Sequence, residues 1–365
     1  MNRFVSCLFI CNLQRSSMFC YKSIYLLESN FKKSFGSIFS SSNLQSNVFI
    51  KKSEFIHVLS TSIALDMYEN NIYYQNQIWN TDLSLVVNSC KFHHCHGQYS
   101  GGFCCKSKSS NINISDTIFI LCVADAATTN GYRTSVSCGA FIADCLSMYM
   151  QKSCFFGCYG IGDAFVYHSS ASQNNQLNKS CLIDNGKLES RHFGCIIDYG
   201  YQYFVENNGT SNRCSGHGSF AATCCLSKLF HVSYNNIVNN SDTLNSFGFG
   251  GINEVAIPYI GYLNVINNRP KNSVFCSWTK AFQINFSIFL GSISTINTAY
   301  SGSLSLYYCY SDTSFNSVQT IQCYPNNNSA TTVPVFGFNC ALSLDNTVNY
   351  RSYFLIPTLI NIVIY

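Results

Sequence analysis

Charged side chains are scarce in this sequence. Asp, Glu, Lys and Arg make up only 10% of its 365 residues, against roughly 25% in an average soluble protein. The wet face of a long amphipathic helix has too few Glu and Lys residues to draw on here. The polar surface comes instead from Asn, Ser, Thr and Tyr, which build turns and strands. The bases do not cluster. The net charge is +4, and the densest pairs are Lys32-Lys33 and Lys51-Lys52. A nucleic-acid groove gathers basic residues beside aromatic platforms, so nucleic acid is not expected as a partner. No Asp-Asp pair occurs anywhere, and no cysteine lies between Cys20 and Cys90.

What is present is a repeat. Phe92 is followed three residues later by Cys95, and the figure recurs at Phe119/Cys122 and Phe155/Cys158. With Asn in place of Cys it continues at Leu182/Asn185, Phe204/Asn207, Ile237/Asn240 and Val265/Asn268. A second mark sets Gly ahead of an apolar residue, at Gly102-Phe103, Gly139-Ala-Phe141, Gly162-Asp-Ala-Phe165, Gly194-Cys-Ile196, Gly218-Ser-Phe220 and Gly251-Ile252. Two interleaved marks are the signature of a repeat architecture. The apolar marks are spaced 27, 36, 27, 22, 33 and 28 residues apart. The shortest unit fits three short strands and three turns, and longer units carry an insertion at one corner, such as Ala124 to Thr134. Hexapeptide coils keep a nearly fixed period, and propeller blades need roughly 40 residues. The expectation is an all-β, right-handed parallel β-helix of about ten irregular coils, about 50 Å long. Phe92, Phe119, Phe155, Leu182 and Phe204 are expected to stack along one inner wall.

The chain divides into three parts on this reading. Residues 1–30 hold Arg3 and a short apolar run from Phe4 to Cys11, read as a capping strand pair or a weak signal-like segment. Residues 31–324 form the solenoid. Residues 325–365 form a linker, Pro325 to Pro334, and an apolar cap or tail. The last 13 residues, Tyr353 to Tyr365, fall short of the ~20 that span a bilayer. They read as a final strand, or as the front half of a membrane segment through which the chain would associate with a membrane.

Cysteine is abundant, with 21 residues, so an odd one is left over. Equivalent residues in stacked coils lie about 4.8 Å apart, within reach of a disulfide. Cys95, Cys122 and Cys158 are nevertheless expected to be a ladder of buried thiols acting as small hydrophobes.

The two interleaved marks, over roughly residues 40–320, resemble the β-helix repeat proteins that protists carry in large families. Those in turn are similar to bacterial polymorphic membrane and autotransporter passenger proteins. The resemblance implies a cell-surface, membrane or secreted location. It implies a non-catalytic structural, adhesive or binding role, with a surface protein or a glycan as partner.

No catalytic, cofactor-binding or metal-ligating set is assigned from the sequence, and no cofactor is expected. Cys90, His93, His94, Cys95 and His96 are dense enough to suggest zinc, but a closed site needs four convergent ligands and no second pair is evident. On a strand, His94 and His96 would share a face, with His93 opposite. Gly216-His217-Gly218 after Cys214, together with Asn80-Thr81-Asp82, looks like elements of pectin-degrading β-helix glycosidases. That is the alternative reading, a carbohydrate-active hydrolase or lyase. Asp82 and His217 are 135 positions apart, about five turns and over ~20 Å, too far for paired carboxyls to share one glycosidic oxygen. Asp184, Asp198, Glu206 and Asp242 could line up as an acidic row for calcium or a sugar, although separate solvated positions are the plainer expectation. Six Asn-x-Ser/Thr sequons start at Asn113, Asn178, Asn208, Asn239, Asn285 and Asn327, as many as an Asn- and Ser-rich chain would carry by chance.

Overall fold

The computed structural model describes residues 2–5, 8–10, 23–35, 37–41, 47–65, 83–125, 128–129, 132–133, 137–162, 164–187, 193–214, 218–224, 229–241, 245–250, 259–270, 273–277, 282–291, 297–299, 304–312, 320–323 and 340. Among them there is no helix. One coil suffices to define the rest. Leu83–Asn88 lies on the first wall, Lys91–His93 on the second and Phe103–Cys105 on the third. The chain then returns to the first wall as Ser110–Ser115, parallel to Leu83–Asn88 and in register with it. Every wall is built this way, and the third holds ten strands in one parallel sheet. The fold is an all-β parallel β-helix.

Single residues in the left-handed conformation turn the chain between walls. Between the first and second walls these are Ser89, Asp116, Lys152, Lys179 and Glu206, with φ of 50–57°. After the second wall they are His57, His94, Leu121 and Asp184, with φ of 50–52°. A side chain at positive φ is strained by roughly 1–2 kcal/mol. The strain persists because each turn is tied to the next coil, as where Ser89 N–H donates to Ser115 O (3.0 Å) and His94 N–H to Ile120 O (2.9 Å).

The residue after most of these turns points inward and carries a hydrogen-bond donor, Val58 after His57 being an apolar exception. At the second turn, Cys95, Cys122 and Cys158 donate S–H to the carbonyls of Phe55, Phe92 and Phe119, at 3.2, 3.5 and 3.5 Å. In later coils Asn185, Asn212, Asn240 and Asn268 occupy this slot. Their amides donate to Phe155, Leu182, Gly209 and Ile237 carbonyls, at 3.1, 3.0, 2.9 and 2.6 Å. Cys and Asn interchange because the slot needs a small donor for a buried carbonyl. The amides also join each other, Asn185 to Asn212 to Asn240 to Asn268, each link 3.0 Å.

Asn207 is not part of that ladder. It follows the first turn, where it donates to Leu177 O and pairs with Asn235. The expected wall of Phe92, Phe119, Phe155, Leu182 and Phe204 is corrected in the same way. The first four are successive partners on the second wall, but Leu182 pairs next with Gly209. Phe204 sits on the first wall between Leu177 and Val232. The apparent 22-residue unit was a jump between walls. The true steps are 27 from Leu182 to Gly209 and 28 from Gly209 to Ile237.

The aromatic column itself runs from Phe31 through Phe55, Phe92 and Phe119 to Phe155. Ring centroids are 5.1, 4.7, 4.9 and 5.1 Å apart, and the rings are close to parallel. A second stack, Phe103, Phe141 and Tyr167, lines the third wall at 4.9 and 4.8 Å. The two meet across the interior, with Phe155 and Tyr167 tilted at 5.1 Å. At Gly209 the column has no side chain. An added Cβ there would lie 2.2 Å from the ring of Phe220, which fills the space from the third wall. A bulge re-aims that residue: Phe193 pairs with Gly218 and Cys195 with Ala221, leaving Ser219 and Phe220 opposite Gly194 alone.

Twelve cysteines among the described residues keep their thiols, all buried. Burial pushes the Cys122 thiol well above its ordinary value. Only the rare thiolate of an opened molecule would react. Cys95, Cys122 and Cys158 are all fully buried, so their labelling by a bulky maleimide is expected to be at least about 100-fold slower in buffer than in denaturant. Equal rates would contradict their burial.

Candidate functional site

The outer face of the first wall carries a single file of side chains along the axis. Register places Tyr25, Phe49, Val86, Asn113, Tyr149, Gln176, Tyr203, His231 and Tyr259 one above another. They face out because their strand neighbours Leu26, Ile50, Val87, Ile114, Met150, Leu177, Phe204 and Val232 face in and are buried. Rings stack at both ends: Tyr25 on Phe49 at 4.8 Å, and Tyr203, His231 and Tyr259 at 5.8 and 4.7 Å. Tyr149 differs, because its register neighbours are the amides of Asn113 and Gln176. It is 37% exposed. A parallel file, Asn88, Ser115, Gln151 and Asn178, runs beside it. Neither file carries an Asp, Glu, Lys or Arg between Phe49 and Tyr259 or between Asn88 and Asn178.

At the adjoining corner Tyr234, Tyr262, Phe286 and Tyr308 stack at 4.8, 5.3 and 5.2 Å. They occupy the left-handed turn positions, and Phe286 and Tyr308 are about half exposed. The file on the wall exposes rings, hydroxyls and amides without charge, while the corner beside it changes from the charged turn residues Asp116, Lys152, Lys179 and Glu206 to the ring stack from Tyr234 onward. Tyrosine and amide side chains are surfaces that pair an apolar body with polar tips. A neutral, hydroxyl-rich chain has the matching chemistry: C–H faces for the rings and hydroxyls for the amides.

No family model, curated protein or solved structure gives a significant match to the chain.

His93 and His96 are separated by the turn at His94. His93 ends a strand, His94 occupies the turn, and His96 opens the short strand His96–Gly97. The turn breaks the alternation that would have put His94 and His96 on one face. The His94 ring lies 4.9 Å from that of His57 and 4.3 Å from that of His93. Burial, and to a lesser degree His57, holds His94 below the usual imidazole range. His96 Nε2 instead meets Asp125 Oδ2 at 2.6 Å, on the surface. Cys90 and Cys95 point into the core. Among the described residues no group of three His, Cys, Asp or Glu could hold a metal ion.

The acidic row is not formed either. Asp184 and Glu206 occupy turns on two different corners, while Asp198 lies on the third wall. Glu206 faces Lys179 Nζ at 3.7 Å across an exposed coil step. Asp82, His217, Asp242, the sequon at Asn327, the linker and the apolar tail lie outside the described residues. Of the remaining sequon residues, Asn113 and Asn239 are exposed. Asn178 Oδ1 accepts from Val205 N–H (3.2 Å).

One polar group was missed in the sequence. On the outer face of the third wall, His168 Nε2 lies 2.8 Å from Asp198 Oδ2, both largely buried. Asp144 is in register with Ser170, which is in register with Asp198. Burial raises the Asp144 carboxyl above its usual value, against the pull of Lys108, His168 and Lys106. The signal was the repeat itself, since Asp144, Ser170 and Asp198 are 26 and 28 residues apart.

Proposed function

We propose that the chain is a non-catalytic β-helix protein of the cell surface or the extracellular space. It holds a neutral glycan along the outer face of the first wall. The kinship with protist surface β-helix proteins belongs to this proposal. The observation that carries it is the uncharged file of rings and amides centred on Tyr149. Its sites repeat about every 4.8 Å along a straight axis, which suits an extended polymer. Exposed, rigid Tyr side chains bind at low entropic expense.

A second reading, polysaccharide hydrolysis, is favoured by Asp144 and Asp198. Two strand steps separate them, about 9.6 Å between Cα atoms, near the roughly 6.5–9.5 Å between carboxyls of inverting glycosidases.

One experiment serves both readings. A panel of neutral and acidic oligosaccharides is titrated calorimetrically against the folded chain, and released reducing ends are assayed in parallel. A neutral oligosaccharide is expected to bind, and Tyr149→Ala to weaken it about tenfold or more, near 1.4 kcal/mol. Thermal unfolding should be unchanged, because the ring is outside the core. Absence of binding across the panel, or equal binding by the variant, overturns the glycan reading. Release of reducing ends that Asp144→Asn abolishes would install the enzymatic one.

A further inference from the structure

The second wall carries a group of three cysteines on its outer face. Cys154 is bonded to Cys340, 186 residues later, with Cα atoms 6.0 Å apart. Cys181 is the register partner of Cys154 in the next coil and keeps its thiol. At the parallel strand spacing the two Cα atoms lie about 4.8 Å apart, so Cys181 is as close to the disulfide as a coil step allows. The Cys340 backbone is hydrogen-bonded to the Cys181 sulfur. Cys154 and Cys181 are covered, only 4% and 2% exposed, while Cys340 is partly exposed.

A line of amides ends on the same sulfur. Asn264 Nδ2 donates to Asn236 Oδ1 at 2.7 Å, Asn236 Nδ2 donates to Asn208 Oδ1, and Asn208 Nδ2 donates to Cys181 Sγ at 3.8 Å. One amide donor thus reaches the thiol, backed by two more in line along the wall. Donors aimed at sulfur favour its anion, and aligned hydrogen bonds strengthen one another.

We propose that Cys154, Cys181 and Cys340 form a thiol–disulfide exchange site in which Cys340 passes between Cys154 and Cys181. Cys181 releases its proton to water, and its thiolate attacks Cys340 Sγ. The Cys340–Cys154 bond breaks as the Cys181–Cys340 bond forms. Cys154 leaves as a thiolate and takes up a proton. One disulfide is present before and after, so no outside oxidant or reductant enters. The anchorage of Cys340 moves by one coil. Burial holds the Cys181 thiol at about 11, against the pull of the Cys340 backbone and Asn208, so the step is slow at neutral pH.

The test is disulfide mapping of the full chain. Native protein is held at pH 9, quenched in acid, alkylated, digested without reductant and analysed by mass. Wild type should give both the Cys154–Cys340 and the Cys181–Cys340 peptides, in a ratio independent of protein concentration. In Cys154→Ser refolded in a glutathione redox buffer, whose disulfide form supplies the oxidant, Cys340 should be bonded almost wholly to Cys181. In Cys181→Ser, only Cys154–Cys340 should remain. A folded Cys154→Ser chain in which Cys340 is alkylated, or bonded elsewhere, overturns the proposal. If that variant does not fold, wild type decides alone: Cys154–Cys340 as the sole linkage of Cys340 after exposure to pH 9 overturns it.

Discussion

Asn212→Ala is expected to destabilise the chain by about 3–5 kcal/mol, although it removes only a small polar side chain. Asn212 Oδ1 accepts from Asn185 N (3.1 Å) and from Asn185 Nδ2 (3.0 Å). Its Nδ2 donates to Leu182 O and Asn240 Oδ1, both at 3.0 Å. Asn185, Leu182, Asn240 and Asn212 itself are all buried. Each stranded group costs about 1–3 kcal/mol, and at least the Asn185 N–H loses its partner. Asn212→Cys should recover about half of the loss, because a thiol in this slot can still serve the carbonyl below, as Cys122 does for Phe92. Urea denaturation measures both, read as a change of midpoint at constant slope. A loss under about 1 kcal/mol for Asn212→Ala would mean the ladder is incidental to stability.

Phe155→Ala should cost a similar amount, about 3–5 kcal/mol, and should act locally. Phe155 is stacked on Phe119 at 5.1 Å and touches the rings of Phe141 and Tyr167. A solenoid is held together chiefly by neighbouring coils. Hydrogen exchange in the variant should therefore accelerate most between residues 120 and 185, and least in Asn47–Lys51 and Ile63–Leu65. A uniform loss of protection along the chain would require one cooperative core in place of a stack.

The repeat was legible because its physical causes are short in sequence. An inward ring, an outward residue, a turn and a buried donor occupy four consecutive positions, as in Phe92 to Cys95. The interchange of Cys and Asn could be read as a pattern, and its cause, a carbonyl one coil below, needed coordinates. The wall to which each figure belongs was not legible. Phe204-Val-Glu-Asn207 on the first wall has the same four-residue form as Ile237-Val-Asn-Asn240 on the second, since both corners use the same turn. Gly209, where the second wall has no side chain, gave no mark to correct the count. The surface was less legible still. The Tyr149 file is drawn from nine coils separated by insertions of unequal length, so no local window contains it. Asp144 and Asp198 came together only through the same register. The Cys154–Cys340 bond joins the solenoid to a residue beyond it, and nothing in the spacing of the cysteines distinguishes that pair from the other possible pairs.

The Phe220 ring over Gly209 has a bearing on how such a stack finds its alignment. From Phe31 to Phe155 the second wall presents the same side chain five times over. A strand pairing displaced by a whole coil would there lose almost nothing, because ring would still meet ring. Gly209 ends that degeneracy. Displaced by one coil, the ring of Phe220 would collide with Leu182 or Ile237, and a void would open at Gly209. Voids and overpacking both carry penalties of kilocalories. A single coil therefore works as a phase mark for the whole stack, an irregular tooth in an otherwise uniform rack, fixing which turn of one wall sits beside which turn of another.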